Sequence, residues 1–487
     1  MTQFFQGRGF QVAALMLAAF LVLIVNREFG VADNGDFGRY MGEFASIPVG
    51  STEENPAVYS REWQYRYFQQ PVFYWNSPGS TFSEPWFTSA ILFWRAGEIL
   101  GKYLFSADVV SLRYIGLPLF LLHFLALALL VRRVPPLAAG PSLLLLGTFL
   151  IMTDARTTAF YNSFYAESVS FAALFLVFAF LASHVWSGHA VPRRGWKESV
   201  ICSAVLAALV AAMFAKRQYL YFIGPALVLV YYYAKAGVRL SGVKCAVVVG
   251  GGAVALACVA GALTTAKRID NPEELLASRF TSFHALYYGL LPHSKKPSQV
   301  LEALDLPATS ISLIGKSAWH PDTGRFVAEH PEITVKTFLK AIVLDPRAFL
   351  GSLWQNAKEV GNFDTALGMI HGEKAKYPPA LVSAFAVGST KVAGAGIFVL
   401  SILLAGILAI FPAGASPEGR FASRILSVTL LVIILADVVI STFDGRQEAR
   451  KHVMVASLAA ALMLVHAVSS CAAHWAHRRA TDWRQPD

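Results

Sequence analysis

Two kinds of charged residue stand where they could do chemistry together. Asp33 and Asp36 lie in the run Val31-Ala-Asp-Asn-Gly-Asp-Phe-Gly-Arg-Tyr40, shortly after the first long apolar stretch of the chain. Far along the sequence, Lys216-Arg217-Gln218 fills a turn between two apolar stretches, and Arg446, Arg450, Lys451 and His452 crowd the segment after Asp444. A carboxylate can take a proton from a hydroxyl as a general base. Cations beside an apolar surface suit a phosphate or pyrophosphate, which Arg grips with a bidentate fork. Together they fit a displacement in which a hydroxyl attacks and a phosphate departs, the cations stabilising the departing charge. Each residue also has a plainer use. Asp36 can cap a turn with Gly35 or pair with Arg39, and the basic turns can snorkel into lipid headgroups.

What positions these residues is a set of apolar helices. Of the 487 residues 55% are hydrophobic and only 15% charged, more apolar surface than a soluble fold of this size can hide. Runs of 16 to 22 apolar residues recur, and about 20 helical residues cross a bilayer. Lipid offers the backbone no hydrogen-bond partner, so the runs must be helices. The expected fold is therefore an all-α polytopic membrane protein of about ten transmembrane helices. Spans are expected near 11–26, 114–131, 135–152, 168–186, 199–215, 219–234, 245–264, 391–412, 425–443 and 453–471. The first reads as an uncleaved anchor, since no small-x-small cleavage site follows it.

Charge then sets the orientation. With both termini in the cytoplasm, fourteen Lys and Arg fall in cytoplasmic segments, from Arg8 and Arg132-Arg133 to Arg478, Arg479 and Arg484. Six fall in short outer loops: Arg156, Lys216, Arg217, Arg446, Arg450 and Lys451. This topology puts the long hydrophilic segments 27–113 and 265–390 on the outer side. The expected organisation is a transmembrane module over 1–264 containing the outer loop 27–113, a small helical extracytoplasmic domain over 265–390, and C-terminal helices with a cytoplasmic tail over 391–487. The net charge of +10 reads as topology, because no basic stripe interleaved with aromatics points to nucleic acid.

Further candidates sit in the outer segments. Trp63, Tyr65, Tyr67, Phe68, Phe73, Tyr74 and Trp75 could form an interfacial belt or a platform for sugar rings. Residues 85–104 read as an amphipathic helix at the interface, with Arg95, Glu98 and Lys102 on its polar face. Tyr161, Asn162, Tyr165 and Glu167 precede the fourth span; Glu167 either caps that helix or turns inward, where it could bind a ligand hydroxyl. Asn271-Pro272 and Asp345-Pro346 are helix starts, the second followed by apolar Phe349, Leu350, Leu353 and Trp354. His284 and Tyr288 lie among aromatics, where a lone histidine is more often a packed residue than a catalyst. Cys202, Cys245, Cys258 and Cys471 show no metal-ligand spacing. Asp33, Asp36, Asp154 and Glu167 could help bind a divalent cation, without diagnostic spacing. There is no GxGxxG, Walker loop, HExxH or GxSxG.

The runs NGDFGR (34–39), YNSFYAES (161–168), Lys216-Arg217-Gln218, FHALYYG (283–289) and DGRQEARKH (444–452) together resemble the GT-C class of membrane glycosyltransferases, nearest to bacterial glycan-biosynthesis hexose transferases of the WsfD type. The resemblance implies a polyprenyl-phosphate sugar donor and a glycan or lipid acceptor. It further implies an active site on the extracytoplasmic face of a bacterial inner membrane. Asp36 would be the catalytic base, with Asp33 the second choice. Lys216, Arg217, Arg446, Arg450 and His452 would hold the donor phosphate. Arg39, Tyr161, Asn162, Tyr165, Glu167, Gln218, His284, Tyr288, Asp444 and Glu448 would line the substrate site. One base acting by direct displacement would invert the anomeric centre, and a lipid-activated sugar needs no nucleotide fold. A lipid-linked sugar flippase or other transporter would also show many spans and buried cations, but it predicts ionisable residues mid-span and paired repeats. Asp437 and His123 are the main such exceptions here.

Overall fold

The computed structural model describes residues 8–21, 47–48, 72–74, 88–104, 109–135, 138–162, 165–187, 196–235, 272–318, 320–362, 369–370, 373–374, 394–445 and 452–482. Nearly all of this is helix. The apolar runs become α1 (Arg8–Phe20), α3 (Leu117–Arg133), α4 (Ala139–Met152), α5 (Glu167–Trp186), α6 (Trp196–Ala215), α7 (Ile223–Lys235), α13 (Gly394–Ile410), α14 (Pro417–Ser441) and α15 (Met454–Asp482). Among the described residues, α5, α14 with its 3-10 extension, and α15 are long and apolar enough to cross a membrane. Five shorter apolar helical stretches, of 10–17 residues, accompany them. The span expected at 245–264 lies outside the described residues.

The helix α5 is apolar nearly all round, which predicts a central position, and every one of its residues is buried. It packs against α3, α6, α14 and α15. Small residues let other helices approach closely. A Cβ on Gly140 of α4 would lie 2.6 Å from the Ser469 carbonyl of α15, so glycine sets that separation. Toward the other end of α5, Arg133 grips Glu198 with two bonds of 2.9 and 2.6 Å, and His184 Nε2 stands 3.0 Å from the same carboxylate. Three helices are tied there by one satisfied ion cluster.

The amphipathic segment expected over 85–104 is α2 (Ala90–Leu104). Glu98 is buried rather than solvated, because Arg95 at 2.7 Å and Lys102 at 3.6 Å both turn onto it. Just before α2, the Thr88 hydroxyl donates to the Ala215 carbonyl at 2.6 Å and the Ser89 amide to the Phe214 carbonyl at 3.0 Å. These bonds satisfy carbonyls that the end of α6 leaves without helical partners. Short strands accompany the helices without changing the all-α class: β1 (Ile47–Pro48), β2 (Val72–Tyr74) and β3 (Val109–Ser111) form an antiparallel sheet, with Ile47 opposite Tyr74 and Phe73 opposite Val110. Phe73 and Tyr74 of the aromatic run are thus strand residues. A second pair, β4 (Met369–Ile370) and β5 (Glu373–Lys374), is a hairpin.

A second apolar core forms between α8 (Pro272–Phe283), α9 (Pro297–Ala303), α10 (Pro321–Glu329), α11 (Val335–Leu344) and α12 (Pro346–Ala357), around Phe283, Leu286, Tyr287, Leu290 and Phe338. The expected start at Asp345-Pro346 is built as read: Asp345 accepts from the Ala348 amide at 3.0 Å. The Ser294 hydroxyl also donates to it at 2.6 Å, and that bond first, then the backbone amides, hold its carboxyl below the usual range. Phe443, just past α14, joins this core with its ring 5.1 Å from that of Phe338. The helical cluster is therefore anchored on the end of the bundle where α14 finishes, called the upper end below.

Candidate functional site

Three turns meet at the upper end. Glu167 is the first residue of α5, Lys216 follows α6, and Asp444 and His452 flank the segment between α14 and α15. The N-cap position of α5 is Ala166, one residue before Glu167. The Glu167 carboxylate turns inward and receives Lys216 Nζ at 3.0 Å, with the Glu167 side chain only 2% exposed and that of Lys216 26% exposed. The partial positive charge of the α5 N-terminus favours the carboxylate further.

His452 joins the other two turns. Its Nδ1 lies 3.1 Å from Gln218 Nε2, 3.4 Å from Lys216 Nζ and 3.7 Å from Asp444 Oδ2. Lys216 can only donate, so in the neutral ring Nδ1 is the acceptor and the proton sits on Nε2. The Asp444 distance is beyond hydrogen-bond range. A protonated ring would reverse that preference, turning its Nδ1–H toward Asp444. The arrangement gathers two carboxylates, one ammonium, an imidazole and an amide at one place, with Lys216 half-buried and in contact with solvent. Lys216 offers the cluster a cation and His452 a group that can take up or give a proton, with Glu167 and Asp444 as the opposing charges.

The runs at 283–289 and 444–452 meet as well. His284–Leu290 is a π-helix, a rare conformation that recurs at functional sites. Gly445 has φ +73 and ψ 177, and a Cβ there would lie 2.5 Å from His284 Cβ. Only glycine brings the backbone this close to His284 in that conformation. His284 Nε2 accepts from the Ala318 amide at 2.8 Å, which binds the ring to its own helical cluster. Tyr288 is half-buried beside it, with ring centroids 6.3 Å apart.

Other candidates go elsewhere. Tyr161 is fully buried, and its hydroxyl lies 3.1 Å from Nδ1 of the buried His123 of α3. Tyr165 packs on Phe160 at 5.1 Å. Asn162 and Arg217 are described by backbone alone, each in a 3-10 turn. Asp33, Asp36, Arg39, Arg446, Glu448 and Arg450 lie outside the described residues.

One buried carboxylate beneath the cluster was named from the sequence only as an ionisable exception within a span. Asp437 of α14 accepts the Tyr221 hydroxyl at 2.8 Å and the Ala456 amide at 2.8 Å, one with each oxygen. It thereby serves the first turn of α15 and fastens the 217–222 turn beneath the cluster. The signal was available, since Asp437 precedes Asp444 by seven residues, two helical turns on one face, in an otherwise clean span.

Comparison with known proteins bears on the frame that carries this cluster. No curated protein and no solved structure matches the chain. Residues 8–485 match the family model described as the YfdI N-terminal transmembrane domain. That match runs through every turn described above, and the chain belongs to the YfdI N-terminal transmembrane domain family, a family of membrane proteins.

Proposed function

We propose that this protein is a GT-C-type glycosyltransferase that moves a sugar from a polyprenyl-phosphate donor to a cell-envelope glycan or lipid acceptor, with inversion, on the extracytoplasmic face of a bacterial inner membrane. The observation that carries the reading is the meeting of Lys216, Gln218 and His452 within 3.4 Å. The two basic turns, read separately from the sequence, share that point. In sequence, Arg446 and Arg450 fall between Gly445, which sits against His284, and His452, which meets Lys216. The family match supports a GT-C-like membrane frame, within which ten spans and an outer domain over 265–390 complete the reading.

In this mechanism Lys216, Arg217, Arg446 and Arg450 take up the charge of the departing lipid phosphate, with His452 beside them. Asp36, with Asp33 as the second choice, takes the acceptor proton. Arg39, Glu167, Tyr288, Asp444 and Glu448 belong to the substrate-facing shell. A divalent cation near the first-loop carboxylates is compatible with the scheme and not required by it. Asp437, a carboxylate near the upper end of α14 that a transporter could use, is already engaged at both oxygens.

The test is Asp36→Asn, which keeps shape and turn-capping capacity but removes the basic oxygen. With membranes assayed against a panel of radiolabelled polyprenyl-phosphate sugars, donor binding is expected to persist while transfer slows at least roughly a hundredfold. Near-normal transfer by Asp36→Asn moves the role to Asp33 or Glu167. Lipid-linked sugar crossing vesicles with no transfer to any acceptor would favour the flippase reading.

A further inference from the structure

The hairpin of α11 and α12 carries a surface that the catalytic scheme does not use. Along α11, Val335, Leu339 and Val343 recur every four residues and are 49%, 46% and 81% exposed. Along α12, Arg347, Leu350, Trp354 and Lys358 fall at i, i+3, i+7 and i+11, one face of a helix, and all four are exposed. The opposite side of α12 is spent on packing through Ala348, Ser352 and Asn356. An apolar stripe flanked by basic residues is costly to leave in water and is the pattern of a helix lying at a membrane surface.

Its height relative to the bundle is fixed by neighbouring residues. Leu353, next to Trp354, packs against the main transmembrane core, and Ala357 and Val360 are members of it. The Gly361 amide donates to Ser457 Oγ at 2.9 Å, in the first turn of α15. The end of α12 is thus pinned where a transmembrane helix begins, and Leu350 and Trp354 face outward just before that level. Charge narrows the occupant. Lys336, Lys340, Arg347 and Lys358 are all exposed, whereas the sole acid between Val335 and Lys358 is Asp345, already engaged by Ser294 and the Ala348 amide. We infer that the α11–α12 hairpin is an interfacial element that seats Leu350 and Trp354 at the boundary of headgroups and acyl chains of an anionic bilayer, with its cations on the headgroups.

The experiment uses the full chain, with its native cysteines replaced, in lipid nanodiscs. Environment-sensitive fluorophores are placed singly through Leu350→Cys, Trp354→Cys and, as an exposed control on α9, Glu302→Cys. Labels at 350 and 354 are expected to emit to the blue of the control and to be quenched by nitroxide lipids, and the control is not. Adding Arg347→Glu and Lys358→Glu is expected to return the label at 350 toward the control in anionic bilayers and to leave it unchanged in zwitterionic ones. Water-like emission at both positions overturns the inference, as does a response indifferent to lipid charge. Protection that follows protein density instead of nitroxide lipid would assign the face to a second copy of this chain and overturn it equally.

Discussion

Two carboxylates at the upper end of the bundle, Asp437 and Glu167, are both buried, yet they end in opposite conditions. Asp437 has each oxygen engaged by a neutral donor, Tyr221 or the Ala456 amide, and its surroundings hold α14, α15 and the 217–222 turn in one arrangement. Glu167 is engaged by Lys216, a group that is itself partly exposed and also approaches His452. The first is a closed polar node, in which a buried acceptor and two buried donors satisfy one another. The second is charged and open on one side, so a ligand anion can compete for its cation. Burial alone does not separate a structural carboxylate from one at a working site; the state of its partners does.

If that distinction is right, the largest stability loss comes from the closed node. Asp437→Ala strands the Tyr221 hydroxyl and the Ala456 amide, each costing about 1–3 kcal/mol, so roughly 2–6 kcal/mol in all. Asp437→Asn should lose about half as much, because its oxygen accepts one bond while its NH2 faces a donor. Thermal unfolding in detergent reads both. Activity of surviving protein should fall only in step with folded fraction; a loss of transfer in fully folded Asp437→Asn would place Asp437 in the open cluster instead.

Next in size is Gly445→Ala. Its φ of +73 with ψ of 177 is a region reserved for glycine, and a side chain there costs about 1–3 kcal/mol before any overlap with His284. The expected result is a destabilised protein whose donor dependence also weakens, since the segment holding Asp444 and His452 leaves its seat on the 284–290 helix. Unchanged donor dependence at lowered stability would separate that seat from the open cluster.

The bundle was legible because apolar runs report helices directly, as at 168–186 against the observed Glu167–Trp186. Boundaries failed where polar residues continue a helix. The run expected at 425–443 begins at Pro417, because the Ser416 hydroxyl caps the Gly419 amide and Arg420 and Arg424 lie on helical turns that hydropathy ignores. The π-helix at 284–290 and the short strands were not legible, since neither leaves a periodic pattern over so few residues. For the site, residue types were readable and partners were not. Glu167 could be read as a cap or an inward ligand, and the choice rests on Lys216, 49 positions away. His452 meets Gln218 across 234 positions, a pairing that only packing of α5, α6, α14 and α15 decides.

The smallest stability effect gives the sharpest sign. Glu167→Gln removes a negative charge but keeps an oxygen for Lys216 Nζ, so the loss should be about 1–1.5 kcal/mol, the excess of a hydrogen bond between charged groups over an ordinary one. Lys216→Met is harsher, because it leaves a nearly inaccessible carboxylate without its cation. If Lys216 serves only the fold, both variants should impair donor use in proportion to lost stability. If Lys216 holds the donor phosphate, the two must diverge. Removing the cation forfeits a hydrogen bond to a charged group, about 1.5–3 kcal/mol, and raises the donor concentration for half-maximal rate roughly tenfold or more. Removing the competing carboxylate leaves Lys216 with less neutralising charge, so donor should bind as well as before or more tightly. Initial rates against donor concentration for the two variants decide it. A parallel rise in both would return Glu167 and Lys216 to the class of Asp437, a closed pair that serves only the fold.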